Sequence, residues 1–425
     1  MSAMIGTARA QWPQWGGPNR NFTVETSGLA DKWPEDGPPG LWHRALGDGY
    51  SGIVVDDGLV FTTYRKNHTD EVEFTVALDV RTGRTVWEHS IPSPLVKPVR
   101  DWGHGPNSTP LIVGDRLYSI GTNAVVQCFD KKKGTVFWKH DLVREFDVPP
   151  ITNVGYSCSP IAYKNTIIVP ADMRRADESG ATPPGTPGAA RPRSPASTLM
   201  AFDAVTGDLL WRSLDLRMGV ASPILIQDAG QDELVVYTVD GVVGVDPSNG
   251  KLRWHVPFTA ETVVATPVWN GADLIFYSSA DEAIGSSVIS LSNQGSEVER
   301  QTLWSNRKVR GDLGTPVRDG DYIYIPQRDL LTCVNIRTGE RLWVERGYPT
   351  ASCVRAGRRL LVLDQNGQLT LAGAAPDGLS VLARSKVAER FSFTVPTLVD
   401  TTLYVRDRKH IMALDLGKRG VDGAG

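Results

Sequence analysis

Seven residues of this chain combine hydrogen-bonding or ionisable chemistry with equivalent places in a repeat: Tyr50, His104, Tyr156, Arg217, Arg310, Asp312 and Arg390. Each stands a few residues ahead of one copy of a recurring phrase that usually contains Pro. If the copies are arranged about one axis, the seven side chains reach a common mouth. Three Arg, one Asp, one His and two Tyr suit a polar ligand, anionic or sugar-like, because guanidinium forks match anionic oxygens and phenols supply flat apolar surface with a polar tip. The competing reading is a solvated lining of mutual ion pairs. Asp312 is the one candidate catalytic base, and Arg310 two residues away would lower its pKa and weaken it in that role.

The other titratable residues read mainly as structure. His43, His89, His140 and His255 follow a repeat Trp by one or two places, which puts them on water-facing outer strands. The run "NHTDE" at 67–71 carries metal-capable side chains on a loop, and no metal is expected there. The four cysteines, Cys128, Cys158, Cys333 and Cys353, form no C-x-x-C, no C-x-x-C-H and no adjacent pair. Cys128 and Cys158 take the same relative places on successive units as Cys333 and Cys353. Disulfides between units are one reading in an oxidising compartment, and buried free thiols the other. There is no G-x-S-x-G, H-E-x-x-H or phosphate-binding loop.

The elements that must position these residues are written in two phrases. The first is "ALDVRTGRTVW" (77–87), which returns at 128–138, 201–211, 244–254 and 333–343, with degenerate copies leading to Trp304 and at 370–383. The second precedes each copy, as in "STPLIVGDRLYSI" (108–120) and "ATPVWNGADLIFY" (265–277). Two phrases that align independently on one count of eight establish internal repetition. Each unit reads as four strands, a to d. The second phrase gives a and b around a tight turn; the first gives c, the D-x-x-T-G turn and d, which ends at Trp. In that turn the Asp carboxylate accepts backbone N–H groups ahead of it, and Gly supplies a positive φ. A lone four-stranded sheet cannot bury both faces, so the units must stack, and ring closure removes the exposed edges. The last unit, "ALDLG" (413–417), lacks its Trp strand, and "LWHRAL" (41–46) can supply it. The fold expected is therefore all-β: an eight-bladed β-propeller closed by its N-terminal strand. Residues 1–40 form a stub and lead-in, 41–417 the propeller, and 418–425 a disordered tail.

Composition narrows the function. The 425 residues carry a formal charge of −3 with 12 Trp, 42 Gly and 28 Pro, and no basic block or long apolar run. Nucleic-acid binding and membrane spanning are not expected. Ala8-Arg9-Ala10 fits an A-x-A cleavage site, consistent with export. Strand direction puts the long connections 65–74, 92–107 and 171–197 on one face, opposite the D-x-x-T-G turns, and outsized loops tend to carry recognition. The 171–197 insertion is low-complexity Pro, Ala, Gly and Arg, and disorder is expected there.

The A-x-D-x-x-T-G-x-x-x-W phrase resembles the repeat of quinoprotein-like propellers, a family that includes pyrroloquinoline quinone (PQQ) dehydrogenases and BamB-like assembly factors. The opening "QWPQWGGPNRNF" (11–22) is similar to the lead-in of exported bacterial members. The dehydrogenases imply PQQ, Ca²⁺, a catalytic Asp and, in alcohol-oxidising members, a vicinal disulfide, which this chain lacks. The resemblance to BamB implies a periplasmic or secreted binding scaffold, monomeric, that engages an envelope protein or a polymer through the loop-rich face. PQQ/Ca²⁺-dependent oxidation of alcohols or sugars is one alternative, and carbohydrate binding or processing another.

Overall fold

The computed structural model describes residues 11–95, 103–149, 155–171, 198–260, 263–291, 300–311 and 313–418. The described strands form eight blades, each of four consecutive antiparallel strands in the radial order a-b-c-d except the last, and the sheet of blade 7 carries a fifth, parallel strand. Blades 1 to 7 span residues 54–92, 111–141, 161–213, 224–257, 268–306, 317–346 and 352–386. Blade 8 takes strands a to c from 397–415 and its outer strand from Gly40–Ala45, with Gly40 opposite Leu414 and Trp42 opposite Ala413. The ring is thus closed by the N-terminal strand, as the orphaned "ALDLG" predicts.

The two phrases now have physical causes. In the D-x-x-T-G turn of blade 1, the Asp79 carboxylate accepts the N–H of Thr82 at 2.9 Å and its hydroxyl at 2.7 Å, and Gly83 stands at φ +66°. The Trp of blades 8, 1, 2, 3 and 5 lies on the turn Gly of the next blade. A Cβ on Gly83, Gly134, Gly207, Gly250 or Gly339 would meet the indole of Trp42, Trp87, Trp138, Trp211 or Trp304 at 2.5 to 2.7 Å. The indole N–H donates to the carbonyl just after the turn Asp or Asn: Trp42 to Val80 at 2.9 Å, Trp87 to Lys131 at 2.9 Å and Trp304 to Ile336 at 2.7 Å. Asp, Gly and Trp therefore form one interlocking contact between blades, and this is why they recur together. Between blades 3 and 4, Pro247 takes the place after the Asp, and the buried Trp211 indole N–H has no partner.

The other phrase fastens the hub. Its Ser or Thr hydroxyl receives the backbone N–H of the equivalent residue one blade earlier. Gly52 donates to Thr109 Oγ1 at 3.1 Å, Thr109 to Ser159 Oγ at 3.1 Å, and Ser159 to Ser222 Oγ at 2.9 Å. Thr397 Oγ1 continues the hoop back across the closure, donating to the Ile53 carbonyl at 2.7 Å. Buried backbone groups without partners each cost about 1–3 kcal/mol, so these hydroxyls are structural. Apolar side chains fill the wedges between sheets, while the outer strands alternate toward water, as in Thr85–Pro92.

The lead-in does more than precede the propeller. Trp12 pairs with Val55 in blade 1, the Pro13 carbonyl accepts Ile112 N–H of blade 2 at 2.8 Å, and Arg20 reaches the Ala162 carbonyl of blade 3 at 3.1 Å. Trp15 donates to Thr266 Oγ1 at 2.9 Å beside blade 5, and Thr23–Val24 adds a parallel strand to blade 7. Trp12 and Phe22 are buried. Most of these contacts fall at the ends of the a strands next to their a–b turns. The segment therefore corks the hub at the face that carries the D-x-x-T-G turns.

Candidate binding mouth

With one end of the hub corked by the chain itself, the hub's other end is the loop-rich mouth; a separate groove of about 860 Å³, lined by Asp319, Arg358 and Arg359 among others, opens between blades 6 and 7 on the corked face. Of the seven predicted residues, the six that are described do not all come together at the mouth. Tyr50 is half-buried, its ring 5.3 Å from Phe393, and burial raises its pKa. Tyr156, expected at the mouth, is fully buried and donates its hydroxyl to the Pro170 carbonyl, so it offers a ligand no surface. Arg217 forms a bidentate pair with Asp240, whose carboxyl is held below its ordinary value despite burial that opposes this. Arg310 pairs with the exposed Glu282. Asp312 lies outside the described residues, as do most of the 171–197 insertion and residues 96–102 of the 92–107 loop. Arg217 and Arg310 are thus each held in a local ion pair with an acid outside the predicted set.

A smaller group does come together, at the seam between blades 8 and 1. Arg390, from the loop that enters blade 8, lies over the Phe391 ring at 4.9 Å, and Arg408 lies over the same ring at 5.5 Å. Arg408 forms a two-armed pair with Asp48, which is 5% exposed and also accepts the Gly49 N–H at 2.9 Å. Gly103, beside His104, approaches both: a Cβ there would lie 3.1 Å from Arg408 Nη2 and 3.4 Å from Asp48 Oδ2. Beneath them Arg406 is fully buried and bonds Thr62 Oγ1 at 3.0 Å and the Thr63 carbonyl at 2.9 Å. Burial lowers its pKa to about 10, so it remains cationic at neutral pH. A groove of about 630 Å³ opens on this seam, and Lys66, His68, Glu389, Arg390, Phe391 and Arg408 are among its walls. Of the predicted set Arg390 lines it directly, Tyr50 touches its aromatic support, and His104 adjoins Gly103.

Sequence reasoning missed Lys66, Phe391 and Arg408. The available signal was "RDRKH" (406–410), a charged b–c connection on the loop-rich face. It also missed the cork, although two Trp and a Phe within twelve residues of a lead-in (11–22) call for burial. The structural reading of the histidines holds in detail. His140 is tied to Glu145 and to the Gly207 carbonyl, and His255 to the Asp240 carbonyl. The four cysteines are buried, and burial pushes their thiols up, Cys333 to about 12. In the 67–71 run, Asn67 binds Thr69, and no metal-holding group of three His, Cys, Asp or Glu occurs among the described residues.

Comparison with solved structures gives the same architecture on very different sequences. A europium-containing methanol dehydrogenase superposes with a TM-score of 0.63 at 12% identity, over 95% of this chain and 89% of that one. The quinohemoprotein alcohol dehydrogenase from Comamonas testosteroni gives 0.63 at 12%, over 99% and 83%. The computationally designed Ika8 protein gives 0.56 at 10%, over 87% and 98%. At such identities the likeness is one of fold alone. No curated protein matches the chain by sequence. The family described as outer membrane protein assembly factor BamB matches over residues 35–178 and 72–345, most of the propeller. With its Asp–Gly–Trp repeats accounted for blade by blade, the chain belongs to that family of PQQ-repeat propellers.

Proposed function

We propose that the protein is a non-catalytic binding propeller of the bacterial envelope, periplasmic or secreted, that engages a protein or polymer partner through its loop-rich mouth. The observation that carries this reading is the asymmetry of the hub. One end is filled by the chain's own aromatic lead-in, while the other retains a charged groove of about 630 Å³. The family description as an outer-membrane assembly factor supports an envelope setting and a protein partner. No helix among the described residues is long and apolar enough to cross a membrane.

The dehydrogenase alternative turns on whether the hub suits PQQ and Ca²⁺. Ca²⁺ takes six to eight oxygen ligands, largely carboxylate and amide. At the mouth Asp48 is held by Arg408 and Asp240 by Arg217, while Asp407 accepts the N–H groups of Lys409, His410 and Glu389. Among the described residues the donor set for the ion is not assembled, so the fit is poor and no redox step follows from this geometry.

The test is direct. Purified protein incubated with PQQ and Ca²⁺ is expected to show neither saturable quinone binding nor dye reduction with alcohols or sugars. Capture of an envelope partner is expected to be lost when 92–107 or 171–197 is replaced by a short linker. Saturable PQQ binding with turnover overturns the proposal; saturable glycan binding at the mouth would move it to the carbohydrate reading.

A further inference from the structure

The groove between blades 8 and 1 carries a surplus of unpaired positive charge on a rigid support. Its three carboxylates are already engaged: Asp48 by Arg408, Asp407 by backbone N–H groups and Glu389 by Lys409 at 3.3 Å. Among the described residues, two of its cations have no carboxylate partner. Lys66 rests over the Phe74 ring at 4.6 Å, and Arg390 over Phe391 at 4.9 Å, both exposed. Phe391 itself stands at φ +72°, a left-handed conformation that a bulky residue rarely adopts and that persists only where its surroundings impose it. Here the N–H groups of Phe391 and Ser392 are both fastened to the Gln365 carbonyl, and the ring lies 6.0 Å from Phe393. The strained backbone thus fixes an aromatic post that holds two guanidinium groups at the edge of a cavity.

Resting on the reading of this mouth as a binding face, we propose that the groove is an anion-recognition site for an acidic peptide segment of a protein partner, with Arg390 and Lys66 as the contacting cations. Arg390 presents a planar fork suited to a carboxylate, and Lys66 a second point charge across the groove. The volume lies within the ~300–1,000 Å³ of ordinary ligand pockets, enough for a short extended segment. A sugar ring binds best by stacking on an open aromatic face. Phe391 does not offer one, because Arg390 and Arg408 both lie over its ring. Acidic side chains on a peptide need only the cations.

The experiment uses the full chain and fluorescein-labelled hexaglutamate, followed by anisotropy at low ionic strength. Saturable binding is expected that weakens with salt, falls about tenfold in Arg390→Ala and in Lys66→Ala, about 1.4 kcal/mol each, and falls further in the double variant. Both side chains are exposed, so the variants should keep the parent circular dichroism spectrum. Lys251→Ala, beside the D-P-S-N-G turn (246–250) on the opposite face, should leave the affinity unchanged. Affinity unchanged in the double variant overturns the proposal. So does hexaglutamate failing where oligogalacturonate or phosphatidylglycerol vesicles bind and lose affinity in the same variants. If hexaglutamate does not bind but partner capture still depends on the 92–107 loop, the groove assignment fails alone; if capture is also absent, the binding-mouth reading fails with it.

Discussion

Replacing Gly134 by Ala tests the contact that holds the blades together. Gly134 stands at φ +72°, and a methyl group there would lie 2.5 Å from Trp87 Cδ2 and 2.7 Å from Cε3. Two costs add. An L-residue in the left-handed region costs about 1–2 kcal/mol, and forcing atoms into a filled contact costs about 1–3 kcal/mol. The indole cannot withdraw freely, because its N–H is bonded to the Lys131 carbonyl at 2.9 Å and its ring stacks on Phe129 at 5.6 Å. Gly134→Ala should therefore destabilise by about 2–5 kcal/mol. Gly114 separates the two contributions. It has a positive φ of +57°, and a Cβ there would meet nothing within 4 Å, so Gly114→Ala should cost only the backbone share, about 1–2 kcal/mol. In a Trp87→Ala background the steric share disappears, and Gly134→Ala should likewise fall to about 1–2 kcal/mol, a coupling of about 1–3 kcal/mol. Equilibrium urea unfolding followed by far-UV circular dichroism measures each of these proteins. If Gly134→Ala and Trp87→Ala are additive within about 0.5 kcal/mol, the indole does not lock the turn and the account of the repeat is wrong.

Further outcomes follow from the same contacts. Trp12→Ala, which empties part of the cork at a site 3% exposed, should lower stability by about 3–5 kcal/mol in the same urea assay. Thr109→Val keeps the shape but removes the acceptor of the Gly52 N–H, and should cost about 1–3 kcal/mol. Burial, with Lys139 nearby, lowers the His89 pKa, while Gln127 bonds the ring at 3.1 Å. A folded-state pKa below the unfolded value means that the unfolded chain protonates first as pH falls. The contribution of His89 is therefore full above about pH 6.5 and lost below it, toward the folded-state pKa. His89→Gln should flatten the decline in urea midpoint between about pH 7 and 5.5; an unchanged slope would remove His89 from the pH response.

Much of the architecture was legible because it is written locally and eight times over. The Asp that collects N–H groups, the Gly that takes positive φ and the Trp that lies on the next Gly are separated by a few residues. Their recurrence announces both the blade and its neighbour, and an orphaned strand c in "ALDLG" announces the closure. The candidate binding mouth was legible only as a face. Strand direction places the long loops together, but whether an Arg meets a ligand or an adjacent acid depends on what stands beside it after folding. Arg217 finds Asp240 and Arg310 finds Glu282, whereas Arg390 finds an aromatic ring and, among the described residues, no carboxylate. The cork was hidden for the same reason. Residues 11–24 touch blades whose sequences lie some 40 to 330 residues away, so their partners exist only once the ring is closed. Short-range stereochemistry made the blades readable from sequence, and long-range closure chose the groove.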